Sequence, residues 1–111
     1  DNAGHPDGQD PLTTAASAYG LFAPSADLTR PVGEWNAGRI VAHGRHVEHW
    51  LNGTLVLSYD IGSPEWDARI GASKFRDIAG YGLNASGRIV LQDHGAPISY
   101  RNVAVTIDPP G

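Results

Sequence analysis

The sequence predicts an all-β domain, an antiparallel β-sandwich or jelly roll with one short helix. Three observations predict it. Gly and Pro are frequent, 14 and 8 of 111 residues, which suits many short elements joined by turns. Strand-like runs alternate with turn dipeptides, most clearly over residues 36–59. Only the segment opening at Ser63-Pro64 carries a strong helix-start signal. The length suits one domain, residues 1–111.

The elements follow in order. Residues 1–11, rich in Asp, Asn, Gly and Pro, read as a loop. Residues 12–18 are mostly small and show no period. Residues 19–23 predict a short strand stopped by Pro24, and residues 24–33 a connection punctuated by Pro31 and Gly33. Residues 36–42, 45–51 and 54–59 predict a three-strand antiparallel meander, turning at His43-Gly44 and Asn52-Gly53. Asn-Gly is the strongest hairpin signal because both turn positions need positive φ. A two-residue loop sets Leu51 opposite Thr54, Trp50 opposite Leu55 and His49 opposite Val56. Alternation then puts Val47, His49, Leu51, Thr54, Val56 and Ser58 on one face. The other face carries His46, Glu48, Trp50, Leu55, Leu57 and Tyr59.

A helix is expected near residues 64–73. Ser63 is a good N-cap, Pro64 suits the first helical position and Glu65 the dipole. Trp66 and Ile70, four apart, share its buried face. Gly80, Gly82, Asn84 and Gly87 make residues 76–87 a loop. Residues 88–93 and 98–107 predict the last strands, with the turn Asp93-His94-Gly95-Ala96-Pro97 between them. Pro109-Pro110-Gly111 ends the fold or begins a linker.

Bulk composition narrows the function. An apolar fraction of 41% against 18% charged allows a buried core. A net charge of −4 with scattered Lys and Arg argues against nucleic acid and against an acidic membrane surface. No apolar run is long enough to span a bilayer, so membrane insertion is not expected. The absence of Cys excludes disulfides, zinc-thiolate sites and thiol nucleophiles. A first residue that is Asp rather than Met leads us to expect that sequence upstream has been removed.

Several side chains are candidates for chemistry. Glu48 and Trp50 share a strand face, and a ring beside a carboxylate can hold a sugar; Trp50 as plain core is the competing reading. Gln92 and His94 leave a strand end on one face, where Arg101 could join them. His94 is the side chain best suited to proton transfer near neutral pH. The same 92–95 segment also reads as an ordinary turn. His43, His46 and His49, spaced by three, would diverge on a strand, with His46 opposite the other two. Asp1, Asp7 and Asp10 lack an ordered calcium-loop pattern and read as a solvated loop. Two sequons, at Asn52 and Asn84, carry little weight, and Asn52 is already explained by its turn.

A resemblance extends this reading. The matching stretches are Asp1-Asn2, Tyr19-Gly20-Leu21, Pro31-Val32-Gly33-Glu34-Trp35-Asn36 and Val47-Glu48-His49-Trp50-Leu51-Asn52-Gly53. Ser63-Pro64-Glu65-Trp66, Ala72-Ser73-Lys74-Phe75, Gly87-Arg88-Ile89-Val90-Leu91-Gln92-Asp93-His94-Gly95 and Tyr100-Arg101-Asn102-Val103 follow in order. Together they resemble the 3-keto-disaccharide hydrolase domain family, whose members have a concanavalin A-like, laminin-G-like sandwich. The resemblance implies that this chain is the C-terminal part of such a domain. The early strands, with a Glu-x-Gln-x-Leu-Asp segment ending at Asp1, are then missing. An incomplete sandwich leaves sheet edges open, so a homodimer or a complementing fragment is expected.

The family chemistry is the breaking of a 3-keto-glycoside. A base removes the C2 proton, the aglycone leaves C1 and water adds back. The resemblance implies His94 as base, with Glu48 or Asp93 as its partner. Lys74, Gln92 and Arg101 become oxyanion or hydroxyl contacts, and Trp50, Asp1 and His5 further substrate contacts. No cofactor is implied, though calcium is left open. The location implied is the bacterial cell envelope, periplasmic or secreted. The alternative is a non-catalytic carbohydrate-binding module or scaffold domain.

Overall fold

Two turns that use positive φ fold the middle of the chain into a meander. The computed structural model describes residues 1–107; the expectation for Pro109-Pro110-Gly111 lies outside them. Strands β1 (Gly38–His43), β2 (His46–Leu51) and β3 (Thr54–Asp60) form an open antiparallel sheet in the order β1-β2-β3. Asn52 and Gly53, at φ 51° and 85°, make the expected turn. Leu51 pairs with Thr54 and Trp50 with Leu55, as the two-residue loop requires.

The register then departs from expectation. His49 lies opposite Leu57, not Val56, because the ladder shifts between His49 and Trp50. Val56 is the extra residue of a β-bulge, and its carbonyl accepts the Ser25 N–H at 2.7 Å. The bulge inverts the alternation beyond it. Leu57 and Tyr59, expected on the face of Glu48 and Trp50, leave that face and pack on the core. Ser58 moves to the outer face opposite Glu48. The driving force is apolar burial: Val56, Leu57 and Tyr59 all reach the core side, which a regular ladder forbids.

The core lies where helix α1 (Pro64–Gly71) meets residues 18–22 and β3. The helix starts as its sequence demands. The Ser63 hydroxyl accepts the Trp66 N–H at 3.2 Å, and Pro64 opens the first turn. Trp66 is buried against Phe22 and Tyr59, with ring centroids 6.3 and 5.8 Å away; Ile70, one turn on, packs against the same cluster. Gly82 passes over the Trp66 ring, where an added Cβ would sit 2.5 Å from the indole.

Two further expectations are corrected. Residues 19–23 form a turn, with a single bridge between Ala18 and Phe22. Gly20, at φ 76°, reverses the chain against the Phe75 ring, so Leu21 and Phe22 both plug the core rather than alternate. Residues 88–93 and 98–107 form no strand. Ile89, Val90, Val103 and Ile107 are 60–86% exposed there. A strand needs a neighbour for its N–H and C=O groups. Among the described residues no strand pairs with this segment. The architecture is therefore an open three-stranded sheet with one short helix, consistent with part of a β-sandwich. No helix among the described residues is long and apolar enough to cross a membrane.

The N-terminal loop is tied down by its own polar groups. A 3-10 turn, Pro6–Gln9, is followed by the Thr13 hydroxyl donating to the Asp7 carbonyl at 2.6 Å. Asn2 Oδ1 accepts the Ala15 N–H at 2.9 Å. His49 joins this loop to the sheet: Nδ1–H donates to the Ala16 carbonyl at 2.8 Å, and Nε2 is hydrogen-bonded with the Tyr59 hydroxyl at 3.0 Å. A carbonyl only accepts, so Nδ1 carries a hydrogen.

Candidate functional site

Several of the sequence-predicted residues fall into two polar clusters. The first lies between the N-terminal loop and the turn at residues 93–95. The His5 and His94 rings meet edge to face with centroids 5.2 Å apart. Asp7 Oδ2 lies 3.8 Å from His5 Nδ1. One donor atom from each of His5, Asp7 and His94 lies within 4.8 Å of the others. The Tyr19 hydroxyl donates to Asp7 Oδ2 at 3.4 Å. Partial desolvation, and then Asp7, raise the Tyr19 hydroxyl above its ordinary value, so it stays a donor. The Lys74 ammonium sits 5.0 Å from the Tyr19 ring centroid and 5.4 Å from that of Phe75.

Local chemistry presents His94. Asp93 Oδ1 accepts the Gly95 N–H at 2.8 Å, and Gly95 has φ 90°. This closes an Asx-type turn with His94 at its tip. The Tyr100 hydroxyl donates to the Gln92 carbonyl at 2.7 Å and ties the following segment back. Asp93 thus shapes the turn.

The second cluster covers the outer face of the sheet. Trp50 Nε1–H donates to Glu48 Oε1 at 3.0 Å. His46 lies between two carboxylates, 3.3 Å from Glu48 and 3.0 Å from Asp60. The Trp50 N–H, then His46, hold the Glu48 carboxyl below its ordinary value, so it stays ionised. Asp60, then Glu48, raise His46 above its own. The Arg39 guanidinium lies 6.0 Å from the Trp50 ring centroid. A pocket of about 270 Å³ opens between Ala37, Gly38, Arg39, Trp50 and Gly53.

The remaining candidates are scattered. Arg101 stacks on Trp35, 4.1 Å above its ring. Asp1 spends Oδ1 on the Ala3 N–H at 3.1 Å, and Asp10 spends Oδ1 on the Leu12 N–H at 3.0 Å. Asp1, Asp7 and Asp10 therefore each serve a different local partner. The structure brings His94 and His5 together, with Lys74 at one remove. Among the described residues no hydrogen bond or ring contact joins them to Glu48, Trp50 or Arg101. His43 pairs with His46 across the first turn and so shares its face, contrary to expectation. The turn at Gly44 reverses the chain, and positions paired across a hairpin point the same way.

Residues 1–106 match the 3-keto-alpha-glucoside-1,2-lyase-like domain. The chain belongs to this family. It is 32% identical to a protein of Bacteroides thetaiotaomicron named 3-keto-disaccharide hydrolase, an alignment taking in 96% of the chain and 41% of that relative. It is also similar to a crystal structure from Parabacteroides distasonis described as a candidate glycosyl hydrolase. There the TM-score is 0.62 at 29% identity, over 68% of this chain and 35% of that one. The chain thus spans about two fifths of the curated relative it matches.

Within the family domain, sequence reasoning missed Asp7, Tyr19, His46 and Arg39 as site neighbours. For His46 a signal existed: it lies two residues from Glu48 on the same face. For Asp7 a local signal also existed, since it lies two residues from His5, whose Nδ1 accepts its N–H; Tyr19 reaches Asp7 only through the folded loop.

Proposed function

We propose that this domain takes part in cleaving 3-keto-glycosides, with the reaction centred on the His5–Asp7–His94 cluster. The observation that carries the reading is the imidazole pair beside a carboxylate at an exposed turn, in a chain of this family. A C3 ketone acidifies the C2 proton of a sugar. The His94 imidazole takes that proton, the C2–H electrons form the C1–C2 double bond, and the C1–O bond to the aglycone breaks. The aglycone oxygen takes up a proton as it leaves, and water then adds across the enone to give the free 3-keto sugar. Lys74, beside the Tyr19 ring whose hydroxyl contacts Asp7, is the cation we assign to stabilise the enolate oxygen.

Trp50 offers an apolar ring for a sugar face, and ionised Glu48 can accept hydroxyls. That cluster is read as a substrate platform. The finer fold reading is that the chain supplies part of a concanavalin A-like sandwich. Its exposed apolar residues at 88–107 support completion by a second copy or a complementing fragment.

The test is turnover of a 3-keto-glucoside by the chain, with solution mass measured by light scattering on the same sample. His94→Ala should lower turnover by roughly 10²–10⁴-fold, the usual contribution of a general base. Full turnover in that variant would refute the base assignment.

A further inference from the structure

We propose that His5, Asp7 and His94 form a binding site for a first-row transition-metal dication of the zinc, cobalt(II) or nickel class. Two imidazoles and one carboxylate suit these borderline metals, whereas calcium wants six or more oxygens. The three donor atoms lie within 4.8 Å of one another. Ligands around a tetrahedral ion at 2.0–2.1 Å sit roughly 3.4 Å apart, so small rotations of side chains on exposed loops would close the site.

The surroundings favour this cluster over the others. The Tyr19 hydroxyl on Asp7 Oδ2 orients the carboxylate from outside, the role that hydrogen-bond partners of metal ligands play. His5 Nδ1 now accepts the Asp7 N–H at 3.1 Å, an exposed bond that water can replace when a metal takes the lone pair. The other group of His and carboxylates cannot converge. His46 turns one ring nitrogen to Asp60 and the other to Glu48, on opposite sides of its ring. The three ligands would fill only part of the ion's coordination, leaving room for water or a ligand oxygen.

A consequence follows for turnover, and this consequence alone rests on the proposed reaction. A His94 nitrogen bound to a metal has no lone pair for the C2 proton, and the opposite nitrogen then carries a hydrogen. Metal occupancy and base catalysis by His94 therefore exclude each other, and the loaded domain is arrested.

The test uses the chain stripped with a chelator and titrated with Co²⁺, read by visible absorption and calorimetry. One Co²⁺ should bind per chain and be displaced by Zn²⁺. His5→Ala, Asp7→Asn and His94→Ala should each weaken binding by at least about tenfold, the least that loss of even a ligand's hydrogen-bond partner costs. His43→Ala should leave binding intact, and circular dichroism should show all variants folded. Absence of saturable binding overturns the proposal. So does binding that survives all three variants, or that disappears in His46→Ala. Turnover by the metal-free chain is measured separately, so failure of the metal site and failure of the proposed reaction give different results.

Discussion

Asn52 is the side chain whose removal tests the fold most directly. Its backbone sits at φ 51° in the β2–β3 turn, and its amide does three further things. Oδ1 accepts the Ala37 N–H at 2.8 Å, while Nδ2 donates to the Leu28 carbonyl at 2.7 Å and to Asn36 Oδ1 at 3.0 Å. One residue thereby anchors the segment before β1 to the hairpin tip. A net hydrogen bond contributes about 0.5–1.5 kcal/mol, and this half-exposed site lies at the low end, so losing three should cost about 1.5–3 kcal/mol. Asn52→Gly removes those bonds but keeps the left-handed conformation. Asn52→Ala removes them and adds a Cβ penalty of about 1–2 kcal/mol. The assay is urea unfolding of the two variants and the parent, followed by tryptophan fluorescence. With a slope of about 1–3 kcal/mol per molar urea, the two variants should separate by roughly 0.3–2 M. A neutral Asn52→Gly would refute the role of the amide. Equal midpoints for the two variants would refute the left-handed turn.

Other predictions follow from the same geometry. Gly82→Ala should destabilise the chain by about 2–4 kcal/mol, because the new Cβ meets the Trp66 ring at φ 72°; thermal unfolding measures it. Proton NMR should find His46 titrating above its ordinary 6.5. Its stabilising effect is then complete below 6.5 and is lost as pH rises through the folded value. The Glu48 effect runs the other way, present above 4.5 and lost as pH falls through its lowered value, so the outer-face network is strongest between those limits. A His46 midpoint at or below 6.5 would contradict the two-carboxylate contact. Trp50→Ala should raise KM for a 3-keto-glucoside with little change in kcat; unchanged KM would remove Trp50 from the platform.

What could be read from the sequence was what is local. The Asn52-Gly53 turn fixed the pairing of Leu51 with Thr54 because both positions carry their own conformational requirement. The helix start at Ser63-Pro64 was legible for the same reason. The bulge at Val56 was not, because it depends on the Ser25 N–H, far away in sequence, and on the apolar surface that Leu57 and Tyr59 bury. Residues 88–107 have strand composition, but composition supplies no partner, and without one their alternation has no face to choose.

The same distinction separates the two halves of the candidate site. Glu48 and Trp50 lie two apart on one strand, so their contact follows from the pleat. The meeting of His5 with His94 joins opposite ends of the described chain and could come only from the folded structure. That meeting also has uneven support. On one side, His5 stands on a loop held by Asn2, Thr13 and His49. On the other, His94 stands on a turn held by Asp93 and by the Tyr100 contact to Gln92, in a segment whose Ile89 and Val90 are bare. A general base must be held within a fraction of an ångström of its proton. On the proposed reaction, a second copy or fragment that paired residues 88–107 would fix His94 against a loop that is already in place. Covering those apolar residues should then raise turnover through kcat, in step with the burial of Ile89 and Val90.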